Sequence, residues 1–350
     1  MNQRWGTLAL LSALILAGGC GTTGHASPSQ SKNGGTKKTA ASKSPKKPAS
    51  TVTKGGTLKV LGFWAHHKAL PPSALGASNH SLTYLAPLWY SMTAHGTLKT
   101  KVDAAVLAEA KKQKLPIIVS VNDATGTQAF LTSAATRKAA VQSIDHVIAA
   151  NHYAGVNIDF EPPHTHLKSE LTAFMVELRD SLPRSDKIIV DVVPHSGGAY
   201  DFRRLAPEVT AIQLMSYDQH SDGTVAGPVA AMHWVTSITN RLKSQVPSSK
   251  IYLGIALYGY KWTSGSTHAT TIPYDAITPA MKAKATWNTR YQEETATMGQ
   301  TVYWWENRKG IAQKIALAKK DHLAGIALWQ VGYATHSIYA ELLKDVGKQP

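Results

Sequence analysis

"YAGVNIDFEPP", residues 153–163, alternates apolar and polar side chains with the period of a β-strand. Val156, Ile158 and Phe160 share one face, and Asn157, Asp159 and Glu161 share the other. A strand that is merely buried has no need to aim two carboxyl groups the same way. Two residues along a strand rise about 6.6 Å, so Asp159 and Glu161 influence each other's ionisation, and one of them is expected to stay protonated near neutral pH. A proton donor beside a second carboxylate suits cleavage of a glycosidic bond. A pair neutralised by Arg or Lys inside the fold is the other reading of the strand.

Outward from this strand the chain repeats one pattern. Apolar, β-branched runs fall at 58–64, 82–89, 115–121, 154–160, 187–193, 210–216, 251–257 and 323–329. Amphipathic helical stretches separate most of them, at 102–114, 136–151, 169–182, 228–245 and 310–320. Eight strands alternating with helices predict an α/β fold, a closed (β/α)₈ TIM barrel. A doubly wound open sheet is the alternative, but no run is followed by a glycine-rich phosphate loop. The link between the first two runs carries little helical signal, and residues 198–208 leave room for a short helix. Residues 261–308 are too many for a plain connection and predict a small insertion between the last two strands. In a barrel the polar face of 157–161 points at the axis, and catalytic groups come from the C-terminal strand ends.

"GVNIDFE" resembles the DxxDxDxE signature of glycoside hydrolase family 18, the chitinase-like barrels. The version is that of bacterial cell-wall and spore-cortex N-acetylglucosaminidases, with Asn in the third-last polar place. "VLGFW", "YLAPLWYSMTAHGTL", "LMSYDQH", "LGIALYGYKW" and "GIALWQVGY" resemble the ends of the first, second, sixth, seventh and eighth strands of that family, in order, and the resemblance covers about residues 57–345. Two features depart from it: Ala154 stands where the signature has its first Asp, and Pro162 and Pro163 directly follow Glu161, stiffening the loop.

The resemblance implies roles. Glu161 is the general acid and later the base. The attacking group is the substrate's own 2-acetamido oxygen, with Asp159 orienting it and steadying the oxazolinium ion. Tyr217 hydrogen-bonds the acetamido oxygen, Asp218 and Met215 help position the sugar, and Asn157 supports Asp159 from below. Trp329 is the floor under the cleaved sugar, and Trp64, Trp89, Tyr258 and Tyr260 are candidates for the walls, since flat apolar rings suit the C–H faces of pyranoses. Trp304 and Trp305 either reach the groove or pack the insertion onto the barrel. His164 and His166 are read as loop histidines, because no Asp, Glu or Cys stands near them at ligand spacing. No metal and no cofactor is expected. The expected substrate is an N-acetylated polysaccharide, peptidoglycan or its cortex form. Chitin, or a silent glycan-binding barrel, are the other readings.

Composition sets the remaining bounds. At 350 residues, 43% hydrophobic and 17% charged, the chain can bury a large core. Its net charge of +15 is concentrated at the start. Arg4, Lys32, Lys37, Lys38, Lys43, Lys46, Lys47 and Lys54 precede residue 57 with no acidic residue among them, so the remainder is only mildly basic. No nucleic-acid motif accompanies that charge, and none of that class of partner is expected; the barrel is expected to act as a monomer. "MNQRWGTLALLSALILAGGC" has a basic start, a short apolar run and small residues before Cys20, the layout of an export signal too short to span a membrane. "LAGGC" resembles a lipobox, with Ala17 where Leu is preferred. Lipidation of Cys20 would hold the protein on the outer face of the membrane, and ordinary secretion with Cys20 discarded is the alternative. Residues 21–56 lack large apolar side chains and predict a flexible tether reaching about 30 Å. If Cys20 is lipidated, Cys20→Ala should move the protein from the membrane fraction to the medium or leave it as precursor. Normal processing with unchanged membrane retention would refute the anchor.

Overall fold

Each of the eight apolar runs holds a strand, and the first and last of these strands meet. A computed structural model describes residues 57–65, 75, 81–334 and 336–347. The export signal, Cys20, the tether and most of the link between the first two strands lie outside the described residues. The strands are β1 (Lys59–Trp64), β2 (Tyr84–Met92), β3 (Leu98–Thr100), β4 (Ile118–Asp123), β5 (Gly155–Asp159), β6 (Lys187–Val192), β7 (Ala211–Leu214), β8 (Ile251–Ala256), β9 (Tyr258–Thr263), β10 (Ala269–Pro273), β11 (Thr286–Asn288), β12 (Glu293–Met298), β13 (Thr301–Trp305) and β14 (Gly325–Trp329). Parallel pairing runs β1-β2-β4-β5-β6-β7-β8-β14 and returns to β1, which hydrogen-bonds both β2 and β14. This is the closed barrel that the alternation predicts. The strand β3, which the sequence reading lacks, adds antiparallel to the far end of β2.

The helices are α1 (Ala104–Lys112), α2 (Ala134–Asn151), α3 (Lys168–Ser181), α4 (Phe202–Glu208), α5 (Met232–Lys243), α6 (Pro279–Lys284), α7 (Arg308–Lys320) and α8 (His336–Val346); α1, α2, α3, α5 and α7 fall in the amphipathic stretches, whereas α6 and α8 lie outside them. Polar side chains start several of them. Asp103 accepts from the N–H groups of Ala105 and Val106, Ser133 from Thr136, and Asn307 from Gly310, each satisfying a donor the helix leaves free. The short α4 is all that the β6–β7 link accommodates.

Strand parity divides the core. Val156, Ile158 and Phe160 pack outward in the large apolar cluster beneath the helices. Leu61, Phe63, Ile118, Ile189, Tyr252 and Ala327 fill the barrel's interior. Ala154 packs against this interior cluster, at a level where an aspartate would meet apolar neighbours.

The insertion is a five-stranded antiparallel sheet in the order β10-β9-β13-β12-β11, and it begins already at Tyr258. Its own core gathers Ile272, Ile277, Met281, Ala296 and Trp305. Polar contacts stitch it to the loop between β7 and α5. Trp262 Nε1 donates to Thr224 O at 3.0 Å, and Ala269 N to Asp222 Oδ1 at 2.8 Å. The buried Glu293 carboxyl group, raised well above the usual carboxylate range by burial and then by the charge of Glu306, accepts from the N–H groups of Val229, at 2.8 Å, and Ala230. Beneath it Lys314 Nζ meets Glu306 Oε1 at 2.5 Å with both side chains fully buried. Lys314→Met would leave Glu306 buried without its cation and should lower the free energy of unfolding by about 3–5 kcal/mol in urea titration. Adding Glu306→Gln should restore part of it. An unchanged midpoint in the single variant would mean the pair carries no stability.

Candidate active site

Asn157 is where the site begins. Its side chain is fully buried inside the barrel, and its Nδ2 donates to Ser120 Oγ of β4 at 2.8 Å and to Asp191 Oδ2 of β6 at 2.7 Å. The amide bridges three neighbouring strands one step below Asp159. The sequence reading did not single out Asp191. Its signal was there: one polar residue in "KIIVDVV", in the same inward parity as Ile189.

Above this bridge the carboxyl groups gather. Burial raises Asp159 to about 6. Glu161, just past the end of β5, is pushed up to about 8 by burial first, then by the charges of Asp159 and Asp218. Burial, then Asp159, also lifts Asp191 well above the usual carboxylate range, against the pull of the Asn157 hydrogen bond. Among the described residues no ion pair reaches Asp159, Glu161, Asp191 or Asp218. The alternative in which Arg or Lys neutralises the pair finds no cation among the described residues, and Glu161 is held as an acid at neutral pH.

The loop carrying Glu161 is fixed from the side. Gln128, itself buried, donates from Nε2 to Phe160 O at 3.3 Å and to Pro162 O at 2.6 Å, the carbonyls on either side of Glu161. The backbone N–H of Gln128 is held in turn by Asp123 Oδ2 at 2.7 Å. Phe160 closes an aromatic cluster with Phe130 and Phe174, at 5.0 and 5.6 Å between centroids. The Glu161–Pro162 peptide bond is cis.

Tyr217 and Asp218 follow β7. Tyr217 is buried and stands edge-on to Tyr258 at 6.2 Å. The nearby charges of Asp191, Glu161, Asp218 and Asp159 add to burial in keeping its phenol protonated. A Cβ on Gly254 would come within 2.8 Å of the Tyr217 ring and 2.6 Å of Leu214 O, so the glycine is what lets this ring lie against β8. Asp218 takes a left-handed backbone conformation, φ 58°, which Asp tolerates better than most residues. Its Oδ1 accepts from Tyr258 at 2.5 Å and from Tyr260 at 2.9 Å. These tyrosines, expected in the groove walls, hold Asp218 by their hydroxyls, and Tyr258 is too buried to offer a face.

A family model, glycosyl hydrolases family 18, matches residues 60–334. The chain belongs to this family. It is 25% identical over 268 residues to a candidate sporulation-specific glycosylase, YdhD of Bacillus subtilis, covering 69% of this chain and 64% of that protein. It is 26% identical over 290 residues to the cortical fragment-lytic enzyme of Bacillus anthracis, covering 74% of this chain and 67% of that one. A chitinase structure from Chromobacterium violaceum shares the fold with a TM-score of 0.74 at 24% identity, covering 84% of this chain and 100% of that one. Its sequence is thus similar to that of a cortex-lytic enzyme, and its fold is that of a chitinase.

The family 18 barrel sorts the remaining aromatics by parity. Trp329, the last residue of β14, is half-buried, with its ring 5.3 Å from Phe63 at the top of the interior. Phe63, which the sequence reading passed over, is the last inward residue of β1. Its neighbour Trp64 packs outward and is 4% exposed, and Trp89 is 1% exposed in the same outer cluster. Neither offers a face to a sugar, because each lies one residue off the inward parity. Met215 is half-buried against the large cluster. Trp304 packs on Tyr291 at 5.7 Å, and Trp305 lies in the insertion core, so both serve packing. His164 Nε2 lies 2.9 Å from Gly126 O and its ring 5.5 Å from His166, and the described residues hold no cluster suited to a metal.

These ionisations predict a bell-shaped rate profile. Turnover should fall as pH drops through about 6, where Asp159 takes up a proton, and as it rises through about 8, where Glu161 loses its own. Both folded values lie above the unfolded ones, so the folded state binds more protons and stability falls as pH climbs between them. Glu161→Gln removes one such group and should flatten that loss. Thermal unfolding of both proteins from pH 5 to 9 checks this, and identical slopes would refute the burial of an ionisable Glu161.

Proposed function

We propose that this family 18 hydrolase cleaves bonds at N-acetylglucosamine in peptidoglycan or its spore-cortex form, with retention and with help from the substrate's own acetamido group. The observation that carries the reading is a protonated, half-buried Glu161 beside Asp159 and Tyr217, with no cation among the described residues to discharge them. The kinship with proteins named for cortex lysis and sporulation supports the choice of glycan.

In the first step Glu161 gives its proton to the leaving glycosidic oxygen while the acetamido carbonyl oxygen closes on the anomeric carbon. Asp159 accepts the acetamide N–H and balances the positive charge of the oxazolinium ion. The Tyr217 hydroxyl donates to the acetamido oxygen and turns it toward the ring carbon. In the second step the Glu161 carboxylate takes a proton from water, which opens the oxazolinium ion from the vacated face and leaves the product with its starting configuration. Asn157, bonded to Asp191, supports Asp159 from below, and Asp218, clamped by two tyrosines, positions the sugar. Lipidation at Cys20 would keep this chemistry beside the cell's own wall.

The decisive test is mass spectrometry of muropeptides after digestion of purified wall, which reports activity and bond together. New reducing N-acetylglucosamine ends are expected. Glu161→Gln and Asp159→Asn should each cut the rate by about a hundredfold or more. A substrate carrying a free amine in place of the acetamido group at the cleaved sugar should be inert to the unmutated enzyme. Cleavage of that substrate at a comparable rate would make the nucleophile an enzyme carboxylate or water, and would overturn the roles given to Asp159 and Tyr217.

A further inference from the structure

A cavity of about 630 Å³ opens between the loop after β6, the start of α3 and the flank of α5. Its floor is apolar, with Val193, Leu214, Ile238 and Leu242. Its polar rim is cationic: Lys168 opens α3, His195 lies on the β6–α4 loop, and Arg241 projects from α5. No acidic side chain lines it. No ion pair among the described residues engages Lys168 or Arg241. Arg241 donates from Nη2 to Pro194 O, which fixes the guanidinium against the loop. His195 titrates below its ordinary range through burial and then the charge of Arg241, which leaves Lys168 and Arg241 as the charged members of the rim. The cavity is also connected to the chemistry. Buried Tyr200 forms part of its wall, and the same phenol lies close enough to feel the charges of Glu161, Asp159 and Asp191. Leu214, in the floor, ends the strand that leads to Tyr217.

An apolar floor with a rim of unpaired cations fits a ligand that is part aliphatic and ends in a carboxylate. We propose that the cavity between Lys168, His195 and Arg241 is a subsite for the carboxylate-bearing peptidyl arm of a wall glycan whose sugar occupies the adjacent catalytic mouth. The assignment rests on peptidoglycan as the substrate class, and it makes the pocket a specificity determinant. Chitin carries no such arm and would leave the pocket empty. Attraction to exposed cations is modest per charge and screened by salt, so the subsite contributes to affinity and leaves the chemical step alone.

The test separates this inference from the function it rests on by measuring binding without turnover. N-acetylmuramyl-L-alanyl-D-glutamate is titrated calorimetrically into Glu161→Gln protein, beside the same compound with both carboxylates amidated. The acidic probe should bind more tightly, and Lys168→Gln or Arg241→Gln should each weaken it about threefold at low salt while leaving the amidated probe unaffected. Lys168→Gln makes the test independent of the Arg241 contact with the loop. In the active enzyme the same two substitutions should raise KM on soluble muropeptides with kcat unchanged, and alter neither constant on neutral chitooligosaccharides. Equal binding of the two probes, or equal losses on both substrates, would overturn the subsite. Tighter binding of inorganic phosphate than of the acidic probe would overturn it in favour of a phosphate site. If the variants lose the acidic probe but the unmutated enzyme does not cut wall, the subsite stands and the proposed reaction falls.

Discussion

Four carboxyl groups share one poorly hydrated mouth, and they cannot all be charged at once. Asp159, Glu161, Asp191 and Asp218 come from three strand ends, and no cation among the described residues opposes them. Taking a carboxylate out of water without a partner is costly enough that such a group keeps its proton instead. The fold therefore carries stored protons where the chemistry needs one. Their distribution follows from unequal surroundings. Asp218 has two phenol hydroxyls that favour its anion, Asp191 has one amide, and Glu161 has two nearby negative charges that disfavour it.

Such a cluster is tolerable only if its neighbours cannot move, and the rest of the structure supplies that rigidity. The Asn157 amide fastens β5 to β4 and β6. Gln128 grips the backbone on both sides of Glu161. On the opposite side the insertion holds the loop that carries Asp218, through Tyr258, Tyr260, Trp262 and the Glu293 carboxyl group on Val229 and Ala230. The buried Glu306–Lys314 pair lies under this clamp and ties the insertion to α7. The insertion is thus part of how the loop bearing Asp218 keeps its shape. Hydrogen bonds to charged groups, in an environment where water does not compete, are the strong members of such a network.

The electrostatics of the two neighbouring cavities are opposite. The barrel mouth concentrates carboxyl groups, and the adjoining pocket concentrates cations, with Tyr200 between them. A neutral sugar with an acidic arm is complementary to that pairing, whereas either cavity alone would discriminate weakly. Complementary placement of charge selects partners more than it adds raw affinity.

Much of this was legible in the chain itself. The period of two in "GVNIDFE" put Asn157, Asp159 and Glu161 on one face, and eight apolar runs, most of them separated by amphipathic helices, favoured a closed barrel with a late insertion over an open sheet. Those signals are local, because strand parity and helix period are set by backbone geometry and survive in any surroundings. Parity, had it been applied throughout, also separates Phe63 from Trp64 and marks Trp89 as outward. What the sequence could not supply is which residues meet across strands. Asp191 becomes part of the site because closure sets β6 beside β5 at a register that brings its carboxyl to the Asn157 amide. Gln128 lies 32 residues from Phe160 and reaches it through packing of a loop. Tyr258 and Tyr260 turn from groove walls into clamps because the insertion sheet starts directly after β8 and presents both hydroxyls to Asp218. The chain determines which face each side chain takes; only the closed barrel, by fixing the register between distant segments, decides what that face touches.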